Sequence, residues 1–498
     1  MLQGFLMVVM SAVMALALSG AALAAPDAPA AGAPHAPTIC EAHAKSSTQI
    51  DVTWFDNARD EDEFILECQV GGRGGFNYLA TVERNYTRYS HTGLTDGQQY
   101  EYRVCARNSA GDSDYSNTAR ETPHPLQVVT VSNLDDLQTE INNASPGTII
   151  EITDGTYLLT TNSIRVEDKT DLTIRSQSGN REAVVIKGNG IDSAPEFCFK
   201  LFRSNHITVE NMTLRDVYWH CFQLNGGSSN CVLRNLYMYD AGEGPIKTTI
   251  NGQDGPWSDN GLVEDCVLGY ENGSTRGCIE GADLIASSNW VFRRVQVLRC
   301  YGRPPETSSP GYGIFAKGNS LDTIIEDSYF EDCGVAISFG GGGTPANYKR
   351  FYVTQEHTGG IMRNNVVRRT GRAIPINDCG IYMNKAVGYR VYNNTLWTTS
   401  EGGGSIDIRF LESTGEVYNN LANQGLNLRD GGTAIEATNI WHCPADLFVD
   451  QPHGDFHLVS SATSALDQGT DTGGWVKHDM DGERRPKGAA IDIGADEY

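Results

Sequence analysis

Between residues 206 and 422 the chain repeats one short phrase eight times: an apolar pair, a small polar step, then another apolar patch. The copies are HITVENMTL, NCVLRNLYM, NGLVEDCVL, NWVFRRVQV, DTIIEDSYF, GGIMRNNVV, GYRVYNNTL and TGEVYNNLA. Their fourth residues, Val209, Leu233, Val263, Phe292, Ile325, Met362, Val391 and Val417, are 24 to 37 residues apart. That interval marks stacked supersecondary units, none of which buries its apolar face alone. Two residues further on stand Asn211, Asn235, Asp265, Arg294, Asp327, Asn364, Asn393 and Asn419, Asn or Asp in seven of the eight places. Such residues suit a tight bend whose side chain can pair with the next rung.

Each repeat holds a second short strand: CFQLNG, PIKTTI, CIEGAD, GIFAKG, AISFGG, GIYMNK, IDIRFL and LNLRDG. With side chains alternating at period two, the column Phe222, Ile246, Ile279, Ile314, Ile337, Ile381, Ile406 and Leu426 predicts a continuous core. The outward columns are then Gln223, Lys247, Glu280, Phe315, Ser338, Tyr382, Asp407, Asn427 and Asn225, Thr249, Ala282, Lys317, Gly340, Asn384, Arg409, Arg429. The pattern predicts an all-β fold, a right-handed parallel β-helix carrying a ladder of polar and aromatic groups on one outer face.

The 498 residues exceed one ordinary domain, and the formal net charge of −24 argues against coating a polyanion such as nucleic acid. Residues 5–24 form an apolar run ending Ala22, Leu23, Ala24, the pattern of a cleaved secretory signal (1–24), although MLQG lacks the usual Lys or Arg. No later stretch reaches the ~18 apolar residues that span a bilayer. The expectation is an exported chain, secreted or periplasmic, with no membrane partner after cleavage. An Ala/Pro linker occupies 25–37.

From 38 to 123 the pattern changes to short alternating strands. Trp54 and the segment LTDGQQYEYRVCARNSAGDSDYS, with Leu94, Tyr100, Tyr102, Val104, Ala106, Asn108, Gly111 and Ser113, resemble a fibronectin type III domain. The resemblance implies a module that presents its neighbour and carries no chemistry. It also places Cys68 and Cys105 on adjacent strands, where they could pair. The remaining cysteines read mostly as small apolar fillers of stacked positions. No CxxC or Cys/His cluster with zinc spacing is present, which argues against structural zinc.

The β-helix is expected over 124–498. LDDLQTEINNASPGTIIEIT pairs an amphipathic helix with a strand, as a lid on the open end of a solenoid. With the rung periodicity, it resembles the pectate-lyase-like superfamily over about 130 to 440. DLFVDQPHGDFHLVSSATSALDQG and DMDGERRPKGAAIDIGADEY resemble closing segments of secreted bacterial β-helix proteins. Asp479, Asp481 and Gly482 lack the rest of an EF-hand spacing, so a solvated turn covering the terminal edge is expected there.

Chemistry is expected on the outward ladder, walled by the long loops 301–313 and 340–358. Lys317, His357 and Arg409 are the candidate catalytic residues. Lys247, Glu280, Tyr382, Asp407 and Arg429 are candidate substrate-binding residues, and Glu280 and Asp283 candidate ligands for Ca2+, the one cofactor considered. A basic cluster with aromatic neighbours on an acidic chain suits a uronate-containing polysaccharide. β-Elimination needs a cation against the sugar carboxylate and a base for the adjacent proton. Glu280 and Asp407 stand four rungs apart in this reading, too far at ~4.8 Å per rung for an inverting pair ~6.5–9.5 Å apart.

GIFAKGNSLDTIIEDSYFEDCGVAISFGGG resembles a rung of the polysaccharide lyase family that contains chondroitinase B and alginate lyases. The resemblance implies that Lys317 is the Brønsted base. The family's catalytic Arg falls at about Gly340, and its calcium-binding carboxylates fall in SSPGYG, which has none. The alternatives are a non-catalytic polysaccharide binder or adhesin, and a glycoside hydrolase or uronate epimerase on the same fold.

Overall fold

A computed structural model describes residues 32–250, 255–308, 310–342, 350, 354–399 and 404–498. The expected signal segment and most of the linker lie outside the described residues. So do parts of the loop 340–358.

The eight anchor residues are fully buried and stack in parallel register, Val209 on Leu233, Leu233 on Val263, and on to Val391 on Val417. The bend residue two places later has a positive φ in every rung, from 50° at Asn235 to 61° at Asn211, with Arg294 at 51°. Each bend turns the strand from one face of the coil to the next. Strand Asn205–Val217 thus pairs with Thr170–Ser176 before its bend and with Val184–Lys187 after it. Bend side chains also bond between rungs, as Asn235 Nδ2 does to Asn211 Oδ1 at 2.7 Å. One residue further along, Asn365, Asn394, Asn420 and Asn439 form an inner ladder with amide-to-amide bonds of 3.0 Å. The chain is a parallel β-helix.

Ten further strands form a separate parallel sheet, from Ile164–Glu167 to Leu426–Arg429. Its inner columns include Ala282, Ile314, Ile337, Ile381 and Ile406, and Leu284, Ala316, Phe339, Met383 and Ile408. The expected column is corrected at one rung: Ile246 stands beside Ala282, not Ile279. Ile279 is buried just before the strand Glu280–Ile285. The three-residue shift reverses the parity of that rung, so Asp283 joins Lys247 on the outer column and Ile285 replaces Ala282 beside Lys317.

Helix Leu134–Asn143 starts at Asn133, whose side chain accepts from the Asp136 amide, and buries Leu137 and Ile141 in the main core. The closing segment does not sit as a solvated turn on the terminal edge. It folds back along the flank, where bend asparagines bind its carbonyls: Asn364 to His478, Asn419 to Thr470 and Asn393 to Asp492, at 2.7–2.9 Å. Asp479 is fully buried and accepts from the amides of Asp481 and Glu483.

Strands between Thr38 and Glu121 build a small sandwich around Trp54, Phe64, Tyr102 and Val104. It is docked on the coil, more than a spacer. The docking face carries an apolar column, Val232, Leu262, Val291, Ile324 and Ile361, against which Tyr86 and Trp475 pack. Beside it runs a column of alternating charge: Glu210, Arg234, Glu264, Arg293, Glu326 and Arg363. Tyr86 donates to Glu326, Glu83 pairs with Arg363 at 3.4 Å, and the Trp475 ring lies between Arg84 and Arg390, 3.9 Å from each. All twelve cysteines are free. Cys68 stands opposite Tyr102 and Cys105 opposite Ile65, so the two are not cross-strand partners.

Candidate functional site

The outer face of the ten-stranded sheet carries the column Gln223, Lys247, Asp283, Phe315, Ser338, Tyr382, Asp407 and Asn427, and beside it Ile285, Lys317, Gly340, Asn384, Arg409 and Arg429. Lys317 and Arg409 share this second column. They stand three rungs apart, about 14 Å at ~4.8 Å per rung.

Asp283 is the centre of the cluster. Lys247 from the rung before pairs with its Oδ2, and Lys317 from the rung after reaches the same oxygen at 3.1 Å. Burial pushes the Asp283 carboxyl up, but the two ammonium groups outweigh burial and hold it below the usual range. Burial lowers the Lys247 ammonium less than Asp283 and Glu280 raise it, and it ends at about 12. Glu280, buried at the start of the same strand, goes the other way. Burial, with Asp283 adding, pushes its carboxyl to about 8, although Lys317 and Lys247 pull it down. Two carboxyls three residues apart are thus set to opposite protonation states at neutral pH.

Lys317 also lies over the Phe315 ring, 4.0 Å from its centroid, and Phe315 stacks on Tyr312 at 4.2 Å. Glu356 Oε2 accepts from the Gly318 amide at 2.9 Å and fixes the strand end after Lys317. It is Glu356, not its neighbour His357, that contacts the Lys317 strand end. Gly342 comes so close that a Cβ there would lie 2.8 Å from Lys317 Cδ. At Gly340, with φ of 80°, any Cβ would collide with the Asn384 carbonyl. The backbone therefore leaves no room for an arginine at that place.

Of the expected site residues, Lys247, Glu280, Asp283 and Lys317 come together. Further along the face, Asp407 pairs with Arg429 at 2.5 Å, and Arg409 with Asp430; the Tyr382 hydroxyl accepts from Asn384 Nδ2 at 2.9 Å. They are separate from the lysine cluster. His357 is not in the groove. It begins a strand on another sheet, is fully buried, stacks on Phe339 at 3.8 Å and bonds Thr323 Oγ1 at 3.0 Å. Burial holds its imidazole down at about 3, so it stays neutral. A Ca2+ ion does not fit Glu280 and Asp283: Oδ2 of Asp283 is taken by two ammonium groups, whereas Ca2+ takes six to eight oxygens.

A cavity lies away from this cluster, between the sandwich and the coil. It measures about 530 Å³ and is lined by Tyr86, Arg88, Arg293, Glu326 and Arg363 among others. Arg293 and Arg363 there are both paired with Glu326, whereas the groove gathers two lysines on one carboxylate, so the groove is the better candidate for chemistry.

The fibronectin type III domain model matches residues 35–122. This segment is a fibronectin type III domain. Its strands carry the sandwich described above. Domains A168–A170 of titin are 21% identical over 18% of this chain and 32% of that one, with a TM-score of 0.17. The pectate lyase Pel9A is 13% identical, covers 76% of this chain and 91% of its own, and gives a TM-score of 0.48. The alginate lyase from Paenibacillus sp. str. FPU-7 is 15% identical, covers 63% and 99%, and gives 0.43. No curated protein sequence matches the chain.

Proposed function

We propose that the protein is an exported enzyme that cleaves a uronate-containing polysaccharide by β-elimination in the groove around Lys317. The carrying observation is the convergence of Lys247 and Lys317 on Asp283, beside the neutral Glu280 and the Tyr312–Phe315 stack. Tyr312, the half-buried ring of that stack, suits the apolar face of a sugar, and two cations suit its carboxylate. The reaction asks for neutralisation of that carboxylate, a base for the adjacent proton, and an acid for the leaving oxygen. Lys317 is the base in this reading. It can give up its proton without stranding Asp283, because Lys247 still pairs with that buried carboxylate. Lys247 supplies the fixed positive charge and Glu280 the proton for the leaving group. Arg409, Arg429, Asp407 and Tyr382, further along the same face, hold the neighbouring sugars. No metal step enters.

One observation favours a second reading. Glu280 protonated and Asp283 ionised is also the division of labour of a glycoside hydrolase. The test is incubation with alginate, pectate, glucuronan and chondroitin, following both ultraviolet absorbance of an unsaturated product and new reducing ends. Absorbance lost in Lys317→Ala supports elimination. Reducing ends without absorbance support hydrolysis, and binding with neither leaves a polysaccharide-binding protein.

A further inference from the structure

A cluster at the domain junction joins residues more than 160 positions apart. Glu41 and His43 lie two apart on the first strand of the fibronectin domain; His206 and Asp171 belong to the coil. One ligand atom each from Glu41, His43 and His206 lies within 4.8 Å of the others. His206 Nε2 is 2.9 Å from Glu41 Oε2, and His43 Nε2 is 4.0 Å from that oxygen. Ligands at 2.0–2.2 Å from a tetrahedral Zn2+ stand roughly 3.4 Å apart, so the two separations bracket the value such an ion requires. The centroids of the two imidazole rings are 3.8 Å apart.

The second observation concerns His43. Its Nδ1 faces Asp171 Oδ2 at 2.9 Å, while its Nε2 is buried with no hydrogen-bond partner. A carboxylate on one ring nitrogen with the other nitrogen aimed at a ligand-sized gap is how metal-binding histidines are set, the carboxylate fixing the tautomer. Charge closes as well: the carboxylates of Glu41 and Asp171 balance a divalent cation held by two neutral imidazoles. Lys45 lies 3.7 Å from the other oxygen of Asp171, Oδ1. Asn230, whose Nδ2 is 3.3 Å from His206 Nε2, borders the remaining position, which water or its amide oxygen would take.

We propose that Glu41, His43 and His206 bind a Zn2+-class ion that clamps the fibronectin domain to the coil, with Asp171 as the positioning carboxylate. Spacing along the sequence hides the site, because its halves lie in different domains.

The test is titration of the chelator-stripped full chain with Zn2+ alone, by calorimetry and metal analysis, and with Co2+ by visible absorption. One ion per chain and a tetrahedral Co2+ spectrum are expected. Uptake is lost in His206→Ala and in the near-isosteric Glu41→Gln, and Asp171→Asn weakens it by about 10–100-fold, the usual effect of losing such a carboxylate. His457→Ala, at a separate cluster with Asp481 and the buried Asp496, leaves it unchanged. Circular dichroism establishes that each variant is folded. No stoichiometric Zn2+ in the wild-type chain, or uptake indifferent to both Glu41→Gln and His206→Ala in folded protein, overturns the proposal.

Discussion

Lys317 and Lys247 share one acceptor, Oδ2 of Asp283, although they come from rungs on opposite sides of it. The buried carboxylate therefore keeps one cation when the other moves or loses its proton. On a chain of net charge −24 this is a local reversal of sign, made by stacking and invisible in the composition.

Lys317→Arg separates charge from base. Arginine keeps the cation but does not give up its proton. Product formation should fall by about 10²–10⁴-fold, the usual worth of a general base, while polysaccharide binding persists. Initial rates and a pull-down on the same substrate measure the two effects. Full activity in the arginine variant would remove the base role.

Glu280 gives a pH signature. Its carboxyl rises from 4.5 to about 8 on folding, chiefly through burial. Between those values the native state holds a proton that the unfolded chain has released. The stabilising contribution is complete below pH 4.5 and is lost as pH rises through about 8. Denaturant midpoints should decline over that window, and Glu280→Gln should flatten the decline. In the wild-type enzyme the rate should also drop above pH about 8, where the proton donor is gone.

Two glycines on one loop should behave differently. Gly342→Ala places a methyl group against the flexible Lys317 side chain, so activity should fall with little change in thermal midpoint. Gly340→Ala meets backbone at a positive φ, and stability should fall by at least about 1–3 kcal/mol. Thermal denaturation compared with initial rates distinguishes the two.

At the docking face, burial pushes the Glu326 carboxyl up, but Arg363 and Arg293 outweigh it and hold it at about 2. Its contribution is present above pH 4.5 and is lost as pH falls through about 2. Glu326→Ala leaves Arg363 only Glu83, 3.4 Å away, and Arg293 only Glu264, 3.7 Å away, and should cost up to about 3–5 kcal/mol. Chemical denaturation with and without added salt checks this.

The bends were the most legible part of the chain. Eight positions chosen by spacing all have positive φ, and even Arg294, the one residue of the wrong type, takes it because the stacking on either side dictates the turn. The inner asparagine ladder one place later was not read, since a buried Asn and a bend Asn look alike in an NN pair. The misplaced rung has a physical cause too. CIEGADLI offers apolar residues in both parities, so alternation alone cannot say whether Ile279 or Ala282 faces in, and that choice decides whether Glu280 or Asp283 meets Lys247. His357 looked like a loop residue beside a groove because the loop's length hid the strand that follows it. Glu41, His43 and His206 were illegible for a different reason: no local pattern connects a sandwich strand to a coil two domains' breadth along the sequence.

The Trp475 ring wedged between Arg84 and Arg390 ties an early module to a late stretch of chain. During synthesis the sandwich can fold long before that tryptophan leaves the ribosome. Its seat on the coil is completed only after that later stretch has been made, so a nascent protein cut short before residue 475 would carry a finished first module without this latch.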